Sequence, residues 1–181
     1  MLAIKVSTMN DNLKECILVL DEMFLVECVS YDVSLKSFIG NVTLPNHNGV
    51  ANHALVFMLT GILSRQKQSV AYYFTSDVVK GNTFKPIIIQ IVIKAEELGL
   101  KVNSVTFYMG ACNRAMWTSF VIHCLPAHLQ NNILHPCDPE CKKLYFLLDV
   151  PHLLKNIKQA LFNNKFIKLP KEKVEKIQLN M

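Results

Sequence analysis

The hydrophobic pattern of this 181-residue chain changes its period near the middle, and this change strongly restricts the possible folds. In the first part, apolar residues cluster in short strand candidates such as Ile17–Leu20 and Ala54–Leu63, which are typical of buried strands. Beyond them, five apolar residues recur at the spacing of one helical face: Phe84, Ile88, Ile91, Ala95 and Leu98. The pattern predicts strands first and helices later, as in an α/β domain with a mixed sheet.

Local signals place the ends of this helix and the elements that follow it. Thr83 is positioned to cap the helix start, and Gly99 suits its C-terminal cap. Asn113 is positioned to cap a second helix, and residues 131–140 have the composition of a loop. The other predicted elements are strands at Ser37–Leu44, Val70–Thr75, Val102–Phe107 and Leu144–Leu148 and helices through Met116–Val121 and from Asp149.

The composition is that of a globular protein and argues against a membrane partner. Apolar residues make up 51% of the chain and charged residues 18%. The longest apolar run, Ala54–Leu59, is far shorter than the roughly 20 residues that a membrane span needs. The first residues lack the pattern of a signal peptide, and the six cysteines are scattered. We therefore expect reduced thiols and a nuclear or cytoplasmic protein that is not secreted.

The positive charge is concentrated at the C-terminal end. From Met1 to Val150, twelve Lys and Arg residues face twelve Asp and Glu residues. The remaining residues contain seven Lys and two Glu, so the difference of 7 − 2 equals the formal net charge of +5. A Lys-rich tail of this kind can attract nucleic acid, through its phosphates, or an acidic surface, which makes DNA a candidate partner. The alternative interpretation is a solvated helix face followed by a frayed end.

Asp21 is the first candidate functional residue, because it directly follows the apolar run Cys16–Leu20. Its carboxylate is the type of oxygen ligand that Mg²⁺ prefers. Taken without further context, however, Asp21 and Glu22 have the character of ordinary surface carboxylates.

Seven short segments resemble the catalytic-core region of P-element-like transposases, including those that carry a THAP zinc-binding domain. The segments are Leu20–Met23, Phe38–Gly40, His53–Met58 with Gly61, Val70–Thr75, Ala95–Leu100, Gly110 with Asn113–Ala115, and Asp149–Asn156. They follow one another in the order and at the spacings expected for that family. The resemblance implies an α/β, ribonuclease H-like fold, in which a mixed sheet is flanked by helices, three antiparallel strands coming first.

The resemblance also implies a division of the chain. Residues 1–148 correspond to a partial ribonuclease H-like core, and residues 149–181 to the start of the family's nucleotide-binding insertion domain with a basic tail. The expected fold is therefore an incomplete core with a C-terminal helical extension. We expect the family's third catalytic acid to lie beyond that insertion and outside this sequence.

In the family, three acids hold two Mg²⁺ ions about 4 Å apart for DNA strand cleavage and transfer. By the resemblance, Asp21 falls on the first acid and Tyr108 stands in the place of the second. A phenol is neutral at physiological pH and is a poor Mg²⁺ ligand. Asp149 either approaches this site or caps the following helix.

The expected function is therefore that of a transposase fragment without catalytic activity. Asp21 remains at most a weak Mg²⁺ ligand, and no functional metal cofactor is expected. The alternative is a non-catalytic module, derived from a transposase, that binds DNA or a protein.

A group of Cys and His residues offers a competing interpretation as a zinc site: Cys124, His128, His135, Cys137 and Cys141. Four such ligands suffice for tetrahedral zinc. The paired Cys-x₂-Cys elements of most structural zinc sites are missing, and Pro136 and Pro139 favour a plain loop. The prediction is that zinc is not needed for folding.

Overall fold

A mixed sheet of six strands forms the centre of the computed structural model, which describes residues 2–45, 48–76, 83–107, 116–125 and 128–164. The chain divides into two units, Met1–Asp149 and Val150–Met181. The named elements are α1 (Leu2–Ser7), a 3₁₀ turn (Asp11–Leu13), β1 (Glu15–Phe24), β2 (Ser30–Asp32), β3 (Ser37–Ile39), β4 (His53–Gly61), β5 (Lys67–Thr75), α2 (Phe84–Glu97), β6 (Lys101–Phe107), β7 (His123–Leu125), β8 (His128–Gln130), β9 (Asn132–His135), β10 (Asp138–Leu148) and α3 (Val150–Asn164). Residues 116–119 are also helical.

The strand order of the sheet is β5-β4-β1-β6-β10-β9. β1, β4 and β5 pair antiparallel, whereas β6 runs parallel to both β1 and β10. A short connection joins β4 to β5, whereas the connection from β1 to β4 contains β2 and β3. The crossover from β5 to β6 contains the helix α2. The predicted arrangement of three antiparallel strands followed by alternating helices and strands is thus present, and its antiparallel strands are β1, β4 and β5.

One face of this sheet forms the hydrophobic core. Its centre is a row of four buried side chains on adjacent strands: Leu59, Leu18, Val105 and Phe146. α2 contributes four buried residues to the same core: Phe84, Ile88, Val92 and Ala95. The buried stripe differs from the predicted one, since Val92 replaces Ile91 and Leu98 is 40% exposed. Leu98 is exposed because α2 ends at Glu97, which leaves Leu98 in the C-terminal cap.

The opposite face of the sheet is much more open. Ile17, Val19 and Met58 are half-buried there, and Tyr145 and Leu147 are each 43% exposed. The register places these residues on the side of β1 that also carries Asp21, because side chains alternate along a strand. This open face is therefore the one on which the candidate site lies.

Three predictions about local structure are wrong. Residues 131–140 are not a loop but contain β9 and the start of β10, which form a hairpin. The strand predicted over Ser37–Leu44 is confined to β3, which pairs with β2 outside the main sheet. Thr83 precedes α2 but makes no side-chain capping hydrogen bond, and its backbone is already helical, unlike that of a usual capping residue.

The predicted C-terminal cap of α2 is confirmed at Gly99. Its φ of +89° lies in the left-handed region, which glycine adopts without strain. The Gly99 N–H donates to Glu96 O, and the next N–H, of Leu100, donates to Ala95 O.

The second unit is described through α3 alone, which begins directly after Asp149 as predicted. Within α3, the Gln159 amide donates to Asn163 Oδ1 at 3.1 Å, and Lys158 Nζ lies 5.8 Å from the ring centroid of Phe162. No helix in the described ranges is long and apolar enough to cross a membrane. The assignment of residues 149–181 to a nucleotide-binding insertion stays a prediction.

Cys16 provides a test of the core. Its side chain is buried in β1, and burial raises the pKa of its thiol to about 12, with smaller contributions from the carboxylates of Glu96 and Glu15. Because the thiolate is the reactive form, we expect a thiol reagent to label exposed Cys28 in the native protein and to leave Cys16 unlabelled. Peptide mass mapping of the labelled protein measures both sites, and equal labelling would contradict the buried position.

The same pKa shift predicts a pH dependence of stability. The folded-state pKa of Cys16 lies above its ordinary value of 9.0, so its contribution to stability is complete below pH 9.0. Above that pH the unfolded chain loses the thiol proton while the folded chain keeps it, and stability falls as the pH rises towards about 12. Urea unfolding at increasing pH should show a smaller loss for Cys16→Val than for the wild type. An equal loss in both proteins would remove Cys16 as a cause.

Candidate functional site

Asp21 lies on the central part of the sheet, on the face opposite the main core. In β1 the side chains of Cys16, Leu18 and Leu20 are buried, and Asp21, which has the opposite orientation, is exposed. Its Cα partner on β4 is Val56. β1 pairs with β4 as far as Phe24, so Asp21 lies inside the strand rather than directly after it. Its carboxylate Oδ1 accepts a hydrogen bond from the backbone N–H of Glu22 at 2.9 Å.

β6 approaches the candidate site from the other side of β1. The two strands are parallel, and the last described pair between them is Val19 with Thr106. β6 ends at Phe107, and Tyr108 follows it directly in the sequence. Tyr108, Gly110 and the segment up to residue 115 lie outside the described residues. The position of Tyr108 beside Asp21, and the role of Asp21 as the ancestral first acid, therefore stay predictions.

Asp149 lies at the same end of the parallel strands. It follows β10, whose Leu148 pairs with Phe107 of β6, and its backbone N–H donates to Phe107 O at 3.0 Å. β6 stands between Asp149 and the strand of Asp21, so two strand spacings of about 4.8 Å separate their backbones laterally. α3 begins at the next residue, which is the position of a helix-capping residue.

The donor set around Asp21 does not fit a pair of Mg²⁺ ions. In the part of the chain that the structure describes, no three His, Cys, Asp or Glu residues are grouped closely enough to hold a metal ion. The sequence gives an independent reason, because it contains no Asp or Glu between Glu97 and Asp138. Neither β6 nor the segment after it can therefore supply a carboxylate. Two hard cations need several such oxygens at close range.

His135 of the possible zinc cluster has a structural role. It is 1% exposed; its Nε2 donates to Val102 O at 3.1 Å, and its Nδ1 accepts the backbone N–H of Cys137 at 3.3 Å. Glu96 Oε1 lies 3.5 Å from the ring and also accepts the N–H of Val102 at 2.8 Å. Nε2 thus faces β6 and α2, while Nδ1 holds the turn between β9 and β10. Cys137 and Cys141 are exposed, and the side chains at positions 124 and 128 are outside the described set.

Sequence reasoning missed this His135 network, because nothing near His135 in the sequence indicates that its partners are Val102 and Glu96. It also missed an aromatic cavity beside the outer strand β5, which has aromatic residues from two distant segments. The available signal was the aromatic residues themselves, Phe38 and Tyr72. Their separation in the sequence gives no indication that they lie beside the same cavity.

The family described as "TNP-like, RNase H N-terminal domain" matches residues 1–121 of this chain. Since the match covers more than half of the sequence, the chain belongs to this family of ribonuclease H-like transposase domains. No curated protein sequence matches it.

Among solved structures, the chain is similar to the Drosophila P element transposase strand transfer complex, with a TM-score of 0.64 and 21% sequence identity. The similarity covers 87% of this chain and 32% of the transposase chain, so this protein spans about a third of that relative. At this identity the likeness establishes the fold. The predicted ribonuclease H-like fold class and the resemblance to P-element-like transposases are both confirmed.

Proposed function

We propose that this chain is a P-element-like ribonuclease H domain that holds DNA without cutting it. The observation that carries the proposal is that the sequence contains no Asp or Glu between Glu97 and Asp138. This interval includes β6, which is the strand next to that of Asp21, and the segment that follows β6. Without a carboxylate on β6 or directly after it, the neighbouring strand offers Asp21 no acid with which to share two metal ions. Asp21 then binds Mg²⁺ only weakly, and the domain has no functional metal cofactor.

The proposed DNA contact is electrostatic and involves the C-terminal end of the chain. Residues from Pro151 onward contain seven Lys and two Glu, while the preceding residues carry no net charge. Lysines that neutralise phosphates release counterions, which produces affinity without sequence preference. The solved relative works in a strand transfer complex, which agrees with DNA as the partner class. This role requires a nuclear location.

A protein-binding module is the second candidate, and a specific observation favours it. The open face of the sheet exposes Tyr145 and Leu147, each by 43%, next to half-buried Ile17 and Val19. Exposed apolar area of this kind is typical of protein contacts. This candidate predicts that a partner protein protects these residues from solvent and that DNA has no effect on them.

A nicking assay tests the loss of cleavage. Supercoiled plasmid incubated with the purified chain and Mg²⁺ or Mn²⁺ should stay supercoiled, because Asp21 alone cannot hold two metal ions against their hydration. Asp21→Asn should behave identically. Metal-dependent nicking by the wild type that disappears in Asp21→Asn would show that the domain is an active nuclease.

A salt titration tests the DNA contact. Fluorescence anisotropy with a labelled duplex should show weak, sequence-independent binding whose affinity falls steeply with salt. The binding constant should fall by about 0.9 logarithmic units per phosphate contact for each tenfold rise in salt concentration. A variant with four tail lysines changed to Gln should bind more weakly and with a shallower salt slope: Lys168, Lys171, Lys173 and Lys176. The matched control changes four exposed lysines outside the tail to Gln: Lys5, Lys36, Lys67 and Lys143. Equal loss in both variants would place the contact elsewhere, and no binding at low salt would overturn the proposal.

A further inference from the structure

A surface cavity of about 390 Å³ lies between the β2–β3 hairpin region and the outer strand β5. Phe38, Gly40 and Asn41 line one side, and Tyr72 and Phe74 line the other. Its volume is within the range of small-ligand sites, about 300–1,000 Å³. We refer to it as the aromatic cavity.

The two sides of the aromatic cavity are joined by backbone contacts. The Thr43 N–H donates to Phe74 O at 2.8 Å, and the Phe74 N–H donates to Thr43 Oγ1 at 2.8 Å. Gly40 has a φ of +109°, and a Cβ atom there would collide with the carbonyl oxygen of Cys28. The chain at Gly40 is therefore closely packed on the segment before β2. These contacts give the cavity its shape before any ligand binds.

The rings that line the cavity are unusually exposed for aromatic side chains. Phe38 is 68% exposed and Tyr72 is 60% exposed. Each ring is held by another aromatic residue, since Tyr31 lies 5.2 Å from Phe38 and Phe74 lies 5.6 Å from Tyr72 in edge-on geometry. An edge-on pair occupies at most one face of one ring, so the exposed rings keep area for stacking. The exposed amide of Asn41 adds both a donor and an acceptor.

The register connects this cavity with Asp21. Asp21 of β1 pairs with Val56 of β4, and Val56 pairs with Tyr72 of β5. The three residues form one row across the sheet, and their side chains point to the same face. Two strand spacings of about 4.8 Å separate the backbone of Tyr72 from that of Asp21. A nucleic-acid strand that crosses the open face at Asp21 therefore passes close to the cavity.

We propose that the aromatic cavity binds one unstacked nucleobase of single-stranded DNA and so positions the strand across Val56 towards Asp21. Stacking on exposed rings accepts any base, because every base has a flat π-face, and the Asn41 amide can pair with a base edge. The proposal rests on the proposed function, since it requires DNA as the ligand. It goes beyond that function by assigning a second contact, which recognises unpaired DNA, to the sheet domain.

The test compares single-stranded and duplex DNA on the full chain. Anisotropy is measured with a labelled oligo-dT and with a hairpin duplex of the same length, at a salt concentration that weakens the tail contact. Tyr72→Ala and Phe38→Ala should each weaken oligo-dT binding roughly tenfold and leave duplex binding unchanged. Tyr72→Phe should keep the wild-type affinity because it keeps the ring. Phe24→Ala is the matched control, since Phe24 is 85% exposed and does not line the cavity.

Thermal unfolding of each variant separates a local effect from loss of the fold. Photo-crosslinking of oligo-dT with 4-thiothymidine, mapped by mass spectrometry, gives an independent readout. Crosslinks at Tyr72 or Phe38 would support the proposal, and crosslinks found solely in residues 151–181 would overturn it. Unchanged oligo-dT binding by Tyr72→Ala, with the salt-sensitive tail contact intact, would overturn this inference alone. Failure to bind either DNA even at low salt would overturn the proposed function as well.

Discussion

Tyr108→Asp is expected to increase the affinity of this protein for Mn²⁺ or Mg²⁺ roughly tenfold or more. The substitution returns a carboxylate to the position after β6, where the family resemblance expects the partner of Asp21. A second negative oxygen ligand at a few ångströms from a divalent cation contributes on the order of 1–2 kcal/mol even in a strongly screened site. Calorimetric titration with Mn²⁺ measures the change.

Two further variants isolate the pairing of these residues. Tyr108→Asn removes the ring without adding charge and should leave the metal affinity at the wild-type level. Asp21→Asn combined with Tyr108→Asp should lose most of the gain, since one acid remains. A gain that persists in the double variant would show that Tyr108 and Asp21 do not share a site.

Phe57→Ala should produce the largest loss of stability among the single changes considered. Phe57 is completely buried in β4, pairs with Leu20 of β1 and has its ring centroid 6.0 Å from that of Tyr73. Removing a buried Phe ring costs about 3–5 kcal/mol through lost transfer free energy and the cavity left behind. For a chain of this length this corresponds to a fall in Tm of roughly 10 °C. Urea unfolding and calorimetry measure both quantities.

The same substitution on a neighbouring strand gives the control. Phe24 is in β1, is 85% exposed, and contacts the ring of His53 at 4.4 Å between centroids. Phe24→Ala removes the same atoms from a mostly solvated place, so we expect a change of less than about 1 kcal/mol. Comparable losses in the two variants would contradict the buried position of Phe57.

The elements with long hydrophobic patterns were predictable from the sequence. α2 carries its apolar stripe over more than three turns, and β1 contains a continuous apolar run, so their types are set locally. The hairpin of β9 and β10 was not predictable, because Pro136 and Pro139 indicate a loop. What stabilises that hairpin is His135, which hydrogen-bonds to Val102 in a distant strand. Short strands of this kind depend on tertiary contacts more than on local propensity.

Prediction of the candidate site from the sequence was limited in the same way, because it depends on contacts between distant segments. Asp21 was found because it follows a strongly apolar run, and this run also indicated that β1 is a buried strand. The relation of Asp21 to Tyr72 was not predictable, since it depends on the register of two strand pairs. A change of one residue in either register would turn one side chain to the opposite face. Sequence patterns fix the type of each strand better than its register.

The central position of β1 has a consequence for the order in which the chain assembles during synthesis. β1 is the first strand of the sheet to leave the ribosome, yet its two partners, β4 and β6, are made much later. The hairpin of β4 and β5 closes a short loop and forms early, whereas the parallel pair of β1 and β6 must close a long one. β1 therefore waits with at least one unpaired edge until α2 and β6 have emerged. During that interval its apolar run Cys16–Leu20 lacks a strand partner, and unpaired apolar strands of this kind are prone to aggregation.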